Sequence, residues 1–128
     1  MPSRAAPDMS ASPMMDGDDI LYRIAFENAA VGIAYVSPEG KWLRMNQRVA
    51  EMFGYTLTEL ETLCFQDITH PDDLDINLDY LREVNSGRRE GYKLEKRYLH
   101  KAGHIVWVNL SVSCIRDAQG RVRYFISV

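Results

Sequence analysis

Hydrophobic and polar positions alternate with a period of two through the last third of the chain. The pattern runs through GYKLEKRYLH, HIVWVNLSVSCIRD and RVRYFISV, with short connections at 101–103 and 117–120. Successive side chains of a β-strand point to opposite faces of its sheet. The pattern therefore predicts three neighbouring antiparallel strands that are joined by tight turns.

The middle segment predicts a strand with two unlike faces. One face is apolar at every position and is expected to point at the core: Val106, Val108, Leu110, Val112 and Cys114. The opposite face is mixed and carries Ile105 and Trp107, which are too apolar for a bare surface. We expect the N-terminal helix, a second copy of the chain, or both to cover that face.

Helical spacing replaces alternation in two longer segments. Ile20, Leu21 and Ile24 form one apolar stripe, which predicts an amphipathic helix over 16–25. A longer helix is predicted from Pro71 to about Asn85. Its expected buried face consists of Leu74, Leu78 and Leu81, with Ile76, Tyr80 and Val84 beside them.

Shorter elements are predicted between these two helices. VGIAYVSPEGKWLRMN predicts a hairpin with strands near 32–37 and 41–46. Asn46 is the expected N-cap of a short helix that Gly54 ends. Thr56 and Glu59 have capping-box spacing for one further helical turn. This order of elements indicates an α+β domain, in which an antiparallel sheet carries helices on one face.

Composition and charge narrow the function classes. The chain has 128 residues, of which 46% are hydrophobic and 26% charged, and this suits one compact domain. Its formal net charge of −3 gives no basic field for nucleic acid or an anionic membrane. Residues 88–101 are mostly basic, and we interpret them as solvated surface. Residues 1–15 hold three of the five prolines and predict a disordered leader.

The expected compartment follows from the cysteines and from the apolar runs. The two cysteines, Cys64 and Cys114, are far apart in the sequence and fit a reducing cytoplasm better than a disulfide framework. No apolar run approaches the roughly 18 residues of a membrane-spanning helix, and the N-terminus lacks a signal-peptide core. We therefore expect a cytoplasmic protein without direct membrane contact.

The segment DITHPDDL at 67–74 concentrates ionisable side chains. Its histidine, His70, could bind a metal, act in acid/base chemistry or accept a phosphoryl group. The segment also has the features of a helix start, because proline is favoured at the first helical position and carboxylates in the first turn. No further ligands converge on His70 in the sequence, and His100 and His104 flank an ordinary turn. We predict a helix start and no metal site.

Three segments in order resemble the PAS domain of the bacterial sensory-box type. They are FENAAVGIAYVSPEGKWLRMNQRVAEMFGYTLTEL, FQDITHPDDL and KRYLHKAGHIVWVNLSVSCIRDAQGRVRYFISV, and together they span 26–128. The resemblance implies a five-stranded antiparallel sheet of order 2-1-5-4-3, with helices that enclose a pocket against its inner face. It also implies a sensor and dimerisation module that passes a signal to an output domain after Val128. By resemblance, that output is a diguanylate cyclase of the GGDEF type, with a sensor histidine kinase as the alternative.

Candidate sites follow from the periodicity and the resemblance together. The expected ligand pocket is lined by Met52, Phe53, Phe65, Leu78, Leu81, Val108, Leu110 and Val112. The expected homodimer interface contains Ile20, Leu21, Ile24, Ile105 and Trp107. The pocket residues could instead pack together without a cavity, as in a plain assembly module. No phosphate-binding loop or nucleophile motif is present, so we expect the domain itself to have no catalytic residues.

The resemblance raises the question of two cofactors, haem and flavin, which some relatives bind. Haem-binding relatives use a histidine on the long helix, and residues 71–87 contain none. The flavin photoreceptor branch resembles NCRFLQ around a reactive cysteine, whereas Cys64 in LCFQDI falls one position earlier. Asn109 resembles a flavin-reading asparagine but alternates onto the outward face. We predict no haem and no flavin, and a flavin-binding photo- or redox sensor is the alternative of another class.

Overall fold

The computed structural model describes residues 17–128, with side chains from Ile20 onward, so the predicted leader and Asp16 lie outside the described residues. Helix α1 spans Gly17–Glu27 and continues two residues past its predicted end. Phe26, which we had placed in the core domain, therefore belongs to this helix. Its ring lies 6.0 Å from that of Tyr35, and the guanidinium of Arg44 lies 4.7 Å above it. These contacts dock the last turn of α1 onto the outer face of the sheet.

The remaining elements follow the predicted order. They are β1 (Ala34–Val36), β2 (Trp42–Met45), α2 (Gln47–Phe53), α3 (Leu57–Leu60), α4 (Phe65–Ile68), α5 (Pro71–Asn85), β3 (Gly91–Leu99), β4 (Ile105–Arg116) and β5 (Val122–Ser127). The strands form one antiparallel sheet of order β2-β1-β5-β4-β3. This is the order that the resemblance implied. None of the described helices is long and apolar enough to cross a membrane.

Asn46 joins the N-terminal segment to the sheet. As the predicted N-cap of α2, its Oδ1 accepts the N–H of Val49 at 3.3 Å and that of Ile33 at 3.1 Å. Its Nδ2 donates to the carbonyl oxygens of Phe26 at 2.9 Å and Val31 at 3.0 Å. A fully buried amide needs all of these partners, because an unpaired buried polar group is costly. Asn46 therefore fixes α1, the connection after it and the start of α2 with one side chain.

The helix ends match the local sequence signals. Gly54 ends α2 at φ 79°, in the left-handed region that glycine adopts without strain. Thr56 and Glu59 form the predicted capping box, with each side chain accepting the backbone N–H of the other residue. Pro71 occupies the first turn of α5, as predicted. Local chemistry is thus sufficient to place the ends of these elements.

The core lies between the inner face of the sheet and helices α2–α5. The predicted faces of β4 are confirmed, since Val106, Val108, Leu110, Val112 and Cys114 are buried or half-buried. The odd-numbered positions of the same strand from Ile105 to Ile115 are exposed. Phe125 of β5, Leu60 of α3 and Val84 of α5 complete the centre. The apolar face of β4 is therefore one wall of the core.

The predicted buried face of α5 is wrong at one position. Ile76 is 44% exposed, whereas the neighbouring Asn77 is 1% exposed. Asn77, Leu81 and Val84 follow the i, i+4, i+7 spacing of one helix face, and that face meets the sheet. The buried amide is accommodated because its Oδ1 lies 3.3 Å from the hydroxyl of Tyr92, which donates to it. Apolar spacing therefore predicted the buried face correctly except at Ile76, where Asn77 takes the buried position.

Candidate ligand cavity

A cavity of about 400 Å³ lies beside α2, at the edge of the inner sheet face. It reaches from the connection after α1 to the first half of β4. Most of its wall is apolar: Ala30, Val31, Gly32, Ala34, Trp42, Val49, Met52, Phe53, Tyr98, Trp107, Val108, Leu110 and Val128. Arg48, Asn109 and Ser127 add polar groups. The volume is within the range of pockets that hold small molecules in other proteins.

Seven of the eight predicted pocket residues border this cavity or a smaller one beside it. Met52, Phe53, Val108 and Leu110 line the large cavity. Phe65, Leu81, Val112 and again Leu110 line a second space of about 20 Å³. Leu78 borders neither of the two and instead packs against the core cluster. The predicted set is therefore divided between one roomy cavity and one space of about the size of a water molecule.

Three aromatic rings separate the large cavity from the core. The rings of Phe53 and Tyr98 lie 4.5 Å apart, and Trp42 lies 6.3 Å from Phe53 and 6.4 Å from Tyr98. All three side chains are at most 4% exposed. Sequence reasoning missed both Trp42 and Tyr98. Tyr98 alternates with outward residues of β3, whereas the irregular pairing of β1 with β2 breaks the alternation at Trp42. Such packed rings form a rigid wall, because offset and tilted aromatic pairs attract one another.

The Trp42 indole belongs to that aromatic wall and is a polar group without a partner. Its Nε1–H is buried and finds no acceptor among the described residues, 20–128. Trp42 borders both the large and the small cavity. A buried donor without an acceptor is unfavourable, so this nitrogen is a weak point of the packing.

The charge around the large cavity is positive or neutral. Among the described residues that line it, none is acidic. Arg48 lies at its rim with a side chain that is 51% exposed, and its guanidinium is 3.5 Å from Glu51. Because Glu51 offsets the charge of Arg48, the mainly apolar wall favours a neutral occupant.

The cavity is bounded on one side by the free edge of β4. Ser111 exchanges both backbone hydrogen bonds with Val128, at 3.0 and 2.9 Å. Trp107 and Asn109 follow on the same edge of the strand, and both border the cavity. Trp107, predicted as an interface residue, therefore also lies at the cavity rim.

The segment DITHPDDL is the start of α5, as predicted. His70 is the N-cap, and its Nδ1 accepts the backbone N–H of Asp72 at 3.1 Å. Its own N–H donates to the carbonyl oxygen of Arg97 at 2.9 Å. Asp73 accepts three hydrogen bonds from Arg97, and these bonds hold the pKa of its carboxyl down to about 2. The motif therefore attaches the helix to the edge strand β3.

Lys96 contradicts the interpretation of residues 88–101 as solvated surface. Its side chain is fully buried on the inner face of β3, with Tyr92 and Tyr98 at alternate positions of the same strand. Its Nζ donates to Thr69 Oγ1 at 2.8 Å and lies 4.2 Å above the Tyr98 ring. Burial lowers the pKa of this ammonium to about 7, because the desolvation penalty exceeds the attraction of Asp73. Alternation along GYKLEKRYL was the signal that could have found it.

The predicted interface residues are on the surface. Ile20 is 49% exposed, Leu21 64%, Ile24 53%, Ile105 46% and Trp107 61%. Within the described chain, α1 does not cover Trp107. The guanidinium carbon of Arg97 lies 5.1 Å above the Trp107 ring. The role of these residues in a dimer remains a prediction.

The structure also places the residues that were compared with cofactor or metal ligands. Cys64 is the N-cap of α4, and its backbone N–H donates to Asp67 at 2.8 Å. Asn109 is exposed on the outward side of β4, at the cavity rim. His100 accepts the N–H of Ala102 through Nδ1, and its ring stacks on that of His104 at 4.1 Å. The imidazoles of His100 and His104 therefore have a local structural role at this turn.

Comparison with known proteins agrees with this architecture. The probable diguanylate cyclase DgcE of Escherichia coli K12 is 40% identical over 106 residues, which is 83% of this chain and 10% of that protein. The sensor histidine kinase TmoS of Ectopseudomonas mendocina is 32% identical over 93 residues, 72% of this chain and 10% of that protein. The chain thus spans about a tenth of the length of these curated relatives.

A solved structure and a family model identify the same fold. The crystal structure of a PAS domain from Colwellia psychrerythraea superposes with a TM-score of 0.75 at 18% identity, over 84% of this chain and 91% of that one. At this identity, the superposition shows a shared fold. A family model described as the PAS fold matches residues 43–128. The chain belongs to the PAS family.

Proposed function

We propose that this domain is a sensor that binds a small molecule in the cavity beside α2. The observation that carries the proposal is the cavity of about 400 Å³, which is bounded by packed aromatic rings and by the apolar face of β4. The cavity is open to solvent, since Val31, Trp107 and Val128 in its wall are exposed. A concave, mainly apolar surface of this kind is typical of small-molecule sites, and a bound molecule would cover it.

The signal would travel through the elements that border the cavity. Val108 and Leu110 lie on β4, and the same strand presents Trp107 to the outside. A ligand that binds one conformer better shifts the population toward that conformer. We propose that the shift changes the outer sheet face and α1 across a homodimer, through Ile20, Leu21, Ile24, Ile105 and Trp107.

The proposed output is a diguanylate cyclase domain in the same protein. The 40% identity to DgcE supports this choice, since it covers 83% of this chain. A sensor histidine kinase is the second candidate, supported by the 32% identity to TmoS. The coding sequence after Val128 distinguishes them. A GGDEF run there supports the cyclase, and a kinase histidine box supports the kinase. The absence of both motifs would contradict both candidates.

We further propose that the domain is cytoplasmic and works without a resident haem or flavin. The cap position of Cys64 and the outward position of Asn109 support the proposal for flavin. The lack of a histidine in residues 71–87 supports it for haem. An absorption spectrum of the purified protein tests both, and a visible flavin or Soret band would contradict the proposal.

A cavity-filling variant tests ligand binding directly. Val108→Phe adds a ring inside the cavity, whereas Val106→Phe makes the same change two positions away on the same face, outside the cavity lining. In a thermal shift screen of small metabolites, we expect hits to raise the Tm of the wild type and of Val106→Phe but not of Val108→Phe. A screen in which no compound separates the two variants would contradict the proposal.

A further inference from the structure

Lys96 places an amine inside the protein at the edge of the sheet. Its side chain is 0% exposed, although β3 is an edge strand. Nζ donates to Thr69 Oγ1 at 2.8 Å, and the rings of Tyr98 and Phe65 lie 4.2 and 5.0 Å from it. Among residues 20–128, Thr69 Oγ1 is the one hydrogen-bond acceptor of this amine. The site therefore suits a neutral amine better than an ammonium, whose charge and three N–H groups all need partners.

The segment that enters α5 brings charged and titratable groups toward the amine. The carboxylate of Asp73 attracts the ammonium form, but burial opposes that form more strongly. Asp73 also accepts three hydrogen bonds from Arg97, so its charge is already paired. His70 uses its Nδ1 to accept the backbone N–H of Asp72. In the part of the chain that the structure describes, none of these side chains is hydrogen-bonded to the amine.

The strands and α4 surround the amine with neutral groups. The hydroxyls of Tyr92 and Tyr98 on β3 stay protonated near neutral pH, because burial raises the pKa of both. Val108 lies directly opposite on β4, and Phe65 comes from α4. The ring faces of Tyr98 and Phe65 stabilise a cation only in part. Protonation therefore creates a charge that contact with water would stabilise better than this site does.

One short segment, residues 69–73, covers this edge of β3. Thr69 forms a β-bridge with Tyr98, and the backbone N–H of His70 donates to the carbonyl oxygen of Arg97 at 2.9 Å. On its other side β3 is bonded to β4 along its whole length. Displacement of this covering segment would open a path from water to the amine without breaking the sheet.

We propose that Lys96 is a proton-binding switch, in which protonation of the amine loosens the covering segment from β3 and exposes the amine to water. The switch works without a ligand in the cavity, so it and the ligand function can fail separately. The amine has a pKa of about 7 when it is covered and its ordinary 10.5 when it is exposed. The open state therefore binds more protons between these values, and opening becomes more favourable as the pH falls. From pH 8 to pH 6, the opening equilibrium constant should rise about tenfold.

Native-state hydrogen exchange in low urea tests the switch. The amide of His70 reports the covering segment, and the amide of Phe125, at the centre of the core, reports global unfolding. We expect His70 to exchange through an opening of lower free energy and weaker urea dependence than Phe125. Its protection factor should fall about tenfold between pH 8 and pH 6.

Three variants separate Lys96 from other titrating groups. Lys96→Met removes the amine and should make the protection of the His70 amide independent of pH. Lys93→Met is the matched control, because Lys93 is exposed on the same strand. His70→Asn removes the imidazole in the covering segment. Both controls should keep the tenfold change at the amide of residue 70.

A direct titration of Lys96 needs no variant. The ¹⁵Nζ signal of the wild type should change from that of a neutral amine to that of an ammonium with a midpoint near pH 7. An ammonium signal that persists to pH 9 would contradict the switch. Exchange of His70 only together with Phe125, or a pH effect that survives in Lys96→Met, would overturn it as well.

Discussion

Arg97 donates three hydrogen bonds to the carboxylate of Asp73. Nη2 and Nε of its guanidinium donate at 2.8 and 3.0 Å, and its backbone N–H donates at 2.7 Å. The two residues join the first turn of α5 to the edge strand β3. Paired in this way, the carboxylate has a pKa of about 2, below its ordinary 3.8. The folded state therefore gains stability from the ionised form of Asp73 above about pH 4.

Replacing this carboxylate should destabilise the domain. We expect Asp73→Asn to lower the free energy of unfolding at neutral pH by about 1–3 kcal/mol, the usual range for hydrogen bonds to charged groups. The loss should shrink as the pH falls from about 4 toward 2, because Asp73 then becomes protonated in the wild type too. Urea denaturation at several pH values measures this. Asp72→Asn is the control, since Asp72 lies 4.0 Å from the guanidinium and is 74% exposed.

Lys96 predicts a rise of stability with pH as well, but in a higher pH window. Its pKa is about 7 in the folded state and 10.5 ordinarily, so the unfolded chain binds more protons between these values. The contribution of Lys96 to the free energy of unfolding should therefore rise with pH across this window, on the order of 2–4 kcal/mol in total. Lys96→Met should abolish that rise and stabilise the domain below about pH 8. Thr69 keeps its bond to the Phe65 carbonyl oxygen at 2.7 Å in this variant.

The exposed Lys93 on the same strand provides the matched control for Lys96. Lys93→Met should leave the pH dependence of unfolding as it is in the wild type, because its side chain faces water. A flat difference between wild type and Lys96→Met from pH 6 to pH 9 would contradict a buried, neutralised amine.

His70 should contribute to stability and not to ligand recognition. Removing an N-cap side chain costs about 1 kcal/mol, so we expect His70→Ala to lower the free energy of unfolding by that amount and His70→Asn to restore most of it. Ligand affinity should be unchanged, because His70 borders neither cavity. A tenfold change in the affinity of any cavity ligand would instead assign it a sensing role.

The exposed apolar residues of α1 should carry dimerisation. We expect Ile24→Glu to raise the dimer dissociation constant at least about tenfold, since charge at the centre of an apolar interface is strongly unfavourable. Ile76→Glu is the control, because Ile76 is similarly exposed, at 44%, but lies on α5. Sedimentation equilibrium of the wild type and of the two variants measures these dissociation constants. A monomeric wild type at high concentration would remove the basis for the interface.

Periodicity was sufficient for the sheet, and local capping signals were sufficient for the starts of α2 and α5, whereas the end of α1 was predicted two residues too early. The strict alternation of β4 placed Val108 inward and Trp107 outward, and the local caps at Asn46 and Pro71 placed two helix starts. These features depend on neighbours in the sequence, so the sequence alone predicts them. The exposure of Ile76 was missed because Asn77 takes the buried position beside it, through a hydrogen bond with Tyr92 on another element.

The candidate site depended on long-range packing and was only partly predictable. Side chains from α2, β2 and β3 together determine which inward-facing residues leave a space between them. Leu78, predicted as a lining residue, borders neither of the two cavities described, and Trp42 and Tyr98, which do border them, were not predicted. Lys96 was missed because charge was taken as a sign of exposure, although its position alternates with buried tyrosines.

Native mass spectrometry of the purified domain after incubation with a metabolite extract tests the central claim most directly. A sensor with a ligand cavity predicts a non-covalent adduct of one small molecule per chain in the wild type and in Val106→Phe, and its loss in Val108→Phe. The absence of any adduct, or the same adducts in all three proteins, would contradict the account.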